Sequence, residues 1–193
     1  MELLKQRILK DGKALSPHIL LVDSFLNHQV DVTLMQEIGK EFARLFKDSG
    51  ATRVMTIESS GIVPAAMTAL EMGLPLVVMK KSTSSILSED ILQTNVFSFT
   101  KGSNYQLTLK TKFVERGDRV LFIDDFLANG AAASGACKLI KLAGAEVAGV
   151  GIVIEKYFQP GRALLEEAGY PITALASIKR LDYGVIEFVE DPA

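Results

Sequence analysis

A chain of 193 residues, 48% hydrophobic and 23% charged, is long enough to bury one sizeable core and polar enough to remain in solution. Its 21 basic and 23 acidic side chains nearly cancel, leaving no general footprint for nucleic acid, and no apolar run approaches the roughly 20 residues that span a bilayer. Cys137, the single cysteine, cannot close an internal disulfide and makes no zinc pattern with His18 and His28, so a reducing cytosol is the expected compartment.

The first 11 residues are charged and helical in pattern, without the apolar centre of a signal peptide, and predict a helix over 3–10 that ends near Gly12. A short strand is expected over 19–22, followed by a polar turn over 23–29. Leu34, Ile38, Phe42 and Leu45 recur at helical spacing, which predicts an amphipathic helix over 33–47. Strand 52–57, a Gly-containing loop at 58–61, helix 62–72 and strand 76–79 then read as a parallel pair with a crossover. The β-rich runs 95–100 and 105–110 predict a hairpin. Strand 119–123, helix 130–142, strand 147–154, helix 162–168 and strands 172–178 and 185–189 follow. No repeat or low-complexity linker interrupts this rhythm. It predicts one α/β domain over 1–193, a parallel sheet flanked by helices, with ligands at the carboxyl ends of its strands.

The most informative stretch is Val120-Leu-Phe-Ile-Asp-Asp-Phe-Leu-Ala-Asn-Gly-Ala-Ala-Ala-Ser-Gly135. A buried strand runs into two adjacent carboxylates, Asp124 and Asp125, and a loop of small residues then opens a helix. Small side chains let backbone N–H groups approach an anion, and the positive end of the helix dipole suits a phosphate. Two acids just before it can accept hydrogen bonds from vicinal sugar hydroxyls. Taken alone, an Asp-Asp pair is as readily a strand cap and Gly130 a turn residue. The complete order describes a ribose phosphate, and it is neither a Walker A sequence nor Gly-x-Gly-x-x-Gly.

This stretch resembles the phosphoribosyl pyrophosphate motif of type I phosphoribosyltransferases. The resemblance implies an α/β core, a small hood built from about the first 30 residues and the C-terminal segment, a lid, Mg²⁺ carried on the substrate pyrophosphate, and a homodimer. It places Asp124 and Asp125 on the ribose hydroxyls and Ala128, Asn129, Gly130, Ala131 and Ala132 on the 5′-phosphate. Many members carry Thr where Asn129 and Ala132 stand, so backbone donors and the Asn129 amide must replace hydroxyl contacts. Glu58-Ser-Ser-Gly61 follows a strand where the family has its pyrophosphate loop, implicating Ser59, Ser60 and Gly61; by itself Ser-Ser-Gly is also an ordinary turn. Lys80 and Lys81 resemble a basic pair that meets pyrophosphate, Lys81 being the assigned contact. The hairpin over 95–110 sits where the family carries its lid.

The resemblance extends to Leu20-Leu-Val-Asp-Ser-Phe-Leu-Asn27-His-Gln and Ile154-Glu-Lys-Tyr-Phe-Gln-Pro-Gly161, and so over nearly the whole chain, to the bacterial xanthine-using branch of the family. It implies that Leu20, Asn27 and Lys156 bind the purine. Xanthine has carbonyls at positions 2 and 6; Lys156 offers three N–H donors, Asn27 an amide, Leu20 an apolar cover and Phe158 a stacking ring. Hypoxanthine–guanine members carry Asp where this chain has Ala128, which leaves no general base evident in the loop. Adenine-type members carry Arg where this chain has Ser60, which weighs against adenine. Transfer to hypoxanthine or guanine, and a regulator that binds the same ligand without catalysis, are the alternatives.

Overall fold

The computed structural model describes residues 1–82, 90–98 and 102–190. Helix α1 (Glu2–Asp11) leads through Gly12 into strand β1 (Lys13–Ser16), which pairs antiparallel with β2 (Ile19–Leu21). One π-helical turn, Asp23–Asn27, precedes α2 (Val32–Leu45), where Asp31 caps the helix by accepting the Leu34 N–H at 3.0 Å. Strand β3 (Arg53–Ile57), α3 (Ile62–Met72) and β4 (Leu76–Ser82) follow, then the hairpin of β5 (Ile91–Ser98) and β6 (Ser103–Lys110). The last half is β7 (Arg119–Leu127), α4 (Ala131–Leu142), β8 (Glu146–Lys156), α5 (Gly161–Glu167), β9 (Ile172–Asp182) and β10 (Val185–Phe188).

The larger sheet has eight strands in the order β10-β9-β8-β7-β3-β4-β6-β5. Strands β9, β8, β7, β3 and β4 are parallel, and β10 and β6 join them antiparallel on either side. Alternation along each parallel strand feeds two apolar cores. Val54, Leu121 and Ile123 meet α1, α2 and α3 through Leu4, Ile38, Phe42 and Ala65, whereas Met55, Phe122 and Ile152 meet α4 and α5 through Ala136, Leu139 and Leu165. A strand buried on both faces has to be apolar throughout, which is why 120–123 reads as an unbroken hydrophobic run. The first residues fold back onto β9: the Met1 ammonium donates to the Leu175 carbonyl at 2.6 Å, and the Gly184 N–H to the Ala14 carbonyl at 2.9 Å.

Several elements differ from the sequence reading, β5 beginning at Ile91 and β9 running on to Asp182 among them. Strand β1 is an addition; it is short and bulged at its pairing with β2, so it carries little periodic signal. Strand β4 continues through Lys80 and Lys81 because β6 pairs with them through Thr108 and Leu107. Strand β7 continues through Asp124 and Asp125 to Leu127 because β8 keeps pairing as far as Glu155. The strands of the predicted lid hairpin are packed into the second core through Val96, Leu107 and Leu109, while residues 99–100 of its predicted first strand and Lys101 lie outside the described residues. Among the described residues no helix is long and apolar enough to cross a membrane.

Candidate active site

Because β3, β4, β7 and β8 are parallel, their carboxyl ends open on one rim of the sheet, and four loops or strand ends converge there. Ser59, Ser60, Lys81, Asp124, Asp125 and Ala132 line a common cavity of about 210 Å³ on that rim. Asp124 is 7% exposed, and its Oδ1 accepts the Asp125 N–H at 3.0 Å. Burial, reinforced by the neighbouring Asp125 charge, holds the Asp124 carboxyl well above the usual carboxylate range. Gly61 packs behind it: a Cβ there would stand 2.4 Å from Thr56 Oγ1 and 2.7 Å from Asp124 Oδ1. Only a bare backbone lets the 58–61 loop lie this close to the acid.

Glu58 organises the basic pair. Its carboxylate accepts the Lys81 N–H at 2.6 Å and pairs with Lys80 Nζ at 3.0 Å. Burial pushes this carboxyl up, but the Lys81 N–H and the two lysine charges more than offset it, and the group sits below its ordinary value. The two lysines are thereby separated in role. Lys80 is paired with Glu58, whereas Lys81 lines the cavity with its Nζ 5.4 Å from the Tyr105 ring centre. Burial and the Asp124 charge both raise the Tyr105 hydroxyl.

The small-residue loop is shaped before any anion arrives. Gly130 has φ +84°, and the Ser134 N–H donates to its carbonyl at 2.9 Å as α4 begins. Asn129 Oδ1 accepts the Ala131 N–H at 3.0 Å, so one expected phosphate donor is engaged within the loop. Ala128 offers its carbonyl to the Gly161 N–H at 3.0 Å, which ties the loop to the start of α5.

The residues expected at the base are less evenly gathered. Lys156 Nζ donates to the His18 carbonyl at 2.6 Å and lies 5.7 Å from the centre of the Phe126 ring, itself part of the cavity wall. Burial lowers the Lys156 ammonium below the usual lysine range. Leu20 is 8% exposed and belongs to the first core, so it offers a ligand little surface. Asn27 is exposed in the π-helical turn, and Phe158 is 39% exposed. Glu58, Phe126 and Tyr105 were not assigned roles from the sequence. Glu58 and Phe126 stand beside residues that were, and that adjacency is the signal for them; for Tyr105 there is none, since only strand pairing brings it near Asp124.

Chemically, the rim combines paired acids able to accept from hydroxyl groups, a helix-opening loop suited to an anion, the Lys81 ammonium beside the Tyr105 ring, and the Lys156 ammonium on the His18 carbonyl. No family model matches the chain. Over 190 residues it is 59% identical to "Xanthine phosphoribosyltransferase 1" of Clostridium botulinum, covering 98% of this chain and 100% of that protein. A xanthine phosphoribosyltransferase of Streptococcus agalactiae is 53% identical over the full length of both chains. Among solved structures, adenine phosphoribosyltransferase from Rhodothermus marinus superposes with a TM-score of 0.71 at 25% identity, covering 91% of this chain and 97% of that one. The enzyme of the same name from Trypanosoma brucei, in complex with AMP, pyrophosphate and ribose-5-phosphate, gives 0.74 at 20% identity over 90% and 79%, a likeness of fold.

Proposed function

The chain belongs to the xanthine phosphoribosyltransferase family, and from that premise we propose that it joins xanthine to the ribose 5-phosphate of phosphoribosyl pyrophosphate, giving xanthosine 5′-monophosphate and pyrophosphate in purine salvage. One observation carries the reading. Phe126 walls the cavity that Asp124 and Asp125 line, and the Lys156 ammonium lies 5.7 Å from its ring centre, so a ribose on the acids and a base beside the lysine fit one molecule.

In this reading the C1–oxygen bond to pyrophosphate breaks, positive charge develops on C1 and the ring oxygen, and a base nitrogen bonds C1 as its proton is lost. Asp124 and Asp125 orient the ribose hydroxyls, the 128–132 loop anchors the 5′-phosphate, and Ser59, Ser60, Gly61 and Lys81 receive the pyrophosphate. Magnesium would be carried by the oxygens of the substrate pyrophosphate, since among the described residues no cluster of three or more ligating side chains exists. When bound, it offsets the charge that gathers on the leaving group. Lys156 donates to a 6-carbonyl, and Leu20 and Asn27 complete the base site. The same reading makes the enzyme a cytoplasmic homodimer.

A purine panel tests it, with pyrophosphate release as the readout. Xanthine is expected to be the best substrate, hypoxanthine and guanine weaker, and adenine rejected, because its 6-amino group is a donor and gives the Lys156 ammonium no acceptor in place of the 6-carbonyl. Lys156→Ala is expected to weaken 6-oxopurines and leave phosphoribosyl pyrophosphate affinity nearly intact. Efficient use of adenine would overturn the base assignment; tight ligand binding without turnover would favour a regulator.

A further inference from the structure

Glu155 and Arg162 form a buried ion pair that takes no part in the substrate contacts above. Glu155 is 1% exposed; its carboxylate accepts Arg162 Nε at 2.6 Å and Nη2 at 2.8 Å, and Ser177 Oγ donates to it at 2.6 Å. The guanidinium reaches Glu166 with Nη1 at 3.1 Å and lies 5.8 Å from the centre of the Tyr157 ring. A buried pair of this kind is rarely more stabilising than apolar residues of the same size, so stability alone is a weak reason for it. What it spans is the turn from Lys156 to Gly161. That turn is also pinned by the Tyr157 N–H on the Ile178 carbonyl and the Gln159 N–H on the Lys156 carbonyl, both at 2.9 Å.

The two ends of the turn belong to different halves of the site. At one end is Lys156, bonded to the hood through the His18 carbonyl. At the other, the Gly161 N–H donates to Ala128, and a Cβ on Gly161 would sit 2.4 Å from the Ala128 carbonyl oxygen and 2.9 Å from the Gly130 nitrogen. The turn therefore abuts the 128–132 loop with no slack, and its length sets how far the base donor stands from the phosphate loop. Glu155 belongs to the strand and Arg162 to the helix, so the bidentate pair closes the turn between them.

We propose that Glu155 and Arg162 are positioning residues: they hold Lys156 and the 128–132 loop in one register, so that purine and ribose phosphate meet at bonding distance. The inference rests on Lys156 being the base donor. Its test is a double-mutant cycle on the full-length enzyme, pairing Lys156→Ala with Glu155→Gln/Arg162→Met, which removes both charges together, and with Arg162→Lys, which keeps the charge and loses the two-pronged contact. Melting temperature, kcat and KM for xanthine and for phosphoribosyl pyrophosphate are read for each variant. The expected result is a folded charge-free variant whose kcat/KM for xanthine falls about 10- to 100-fold. Adding Lys156→Ala then costs little more, and Arg162→Lys lies between the charge-free variant and wild type. Wild-type kinetics in the folded charge-free variant, with Lys156→Ala alone still damaging, would overturn the inference and leave the base assignment standing. Additive losses would overturn it too, because the pair would then act independently of Lys156. If Lys156→Ala alone has no effect on xanthine, the base assignment fails first and the inference with it. If the charge-free variant does not fold, Arg162→Lys carries the same cycle and the same outcomes decide.

Discussion

Asp124 stands where its burial works against its charge. Its proton is held more tightly in the native protein than in the unfolded chain, because burial and Asp125 both penalise the ionised form. Its contribution to stability is therefore full below the ordinary value of 3.8 and is lost as pH climbs through the raised native one. Asp124→Asn keeps the shape and removes the conflict. It should raise the melting temperature of the ligand-free protein at pH 7.5 by roughly 2–4 °C, for a gain of about 1 kcal/mol, with the gain shrinking toward pH 4. The same change should lower kcat/KM about 10- to 150-fold, as expected for losing a charge-assisted hydrogen bond to the ribose. Calorimetry and steady-state kinetics on one preparation check both; a lower melting temperature with full activity would mean the acid is structural. At this scale the acid pair that lines the rim cavity was legible in the sequence, since adjacent carboxylates at a strand end advertise themselves. The sequence assigned Lys81 by resemblance alone, because what sets Lys80 apart is Glu58, 22 positions earlier, taking its ammonium as partner.

The element that does most is the turn from β7 into α4, and its conformation depends on Gly130. A side chain there meets two obstacles: φ of +84°, which L-residues rarely adopt, and the Gly161 Cα 2.9 Å from where a Cβ would stand. Gly130→Val should therefore raise the KM for phosphoribosyl pyrophosphate strongly, more than the KM for xanthine, and destabilise the fold by about 1–3 kcal/mol of backbone strain. Kinetics with each substrate varied in turn, on protein shown to be folded by circular dichroism, check this; an unchanged KM would remove the loop from the phosphate site. The helix start was legible from small residues after a strand, and so was the parallel order of strands and helices. The ends of β4 and β7 were not. Polar residues such as Lys80, Lys81, Asp124 and Asp125 look like loop, and only the distant partners β6 and β8 keep them in the sheet.

Across the whole molecule the sheet divides its labour by end. The carboxyl rim carries buried acids, a glycine in the left-handed region and close backbone approaches, while the opposite rim is closed by a clamp that no motif announces. There Asp118 accepts Thr52 Oγ1 at 2.7 Å, Arg53 Nε at 2.8 Å and the Glu115 N–H at 2.8 Å, joining the entrances of β3 and β7 across more than 60 residues of chain. A contact between positions 66 apart leaves no periodic trace in the sequence, which is why this end was invisible and the motif-bearing end was not. Burial pushes the Asp118 carboxyl up, but the Glu115 N–H, Arg53 and Thr52 outweigh it and hold it below its ordinary value. Its contribution is therefore present above 3.8 and is lost as pH falls through the lowered native value. Asp118→Asn leaves Arg53 half-buried without its carboxylate, at a cost on the order of 3 kcal/mol, or roughly 6–12 °C in melting temperature at pH 7. The gap from wild type should close as the pH drops below about 4. Both KM values and kcat, measured well below the melting point, should stay within about twofold of wild type, because perturbations this far from the rim share no partner with it. A variant that melts normally but binds phosphoribosyl pyrophosphate poorly would show that the two ends of the sheet are coupled and that the site extends through the strands.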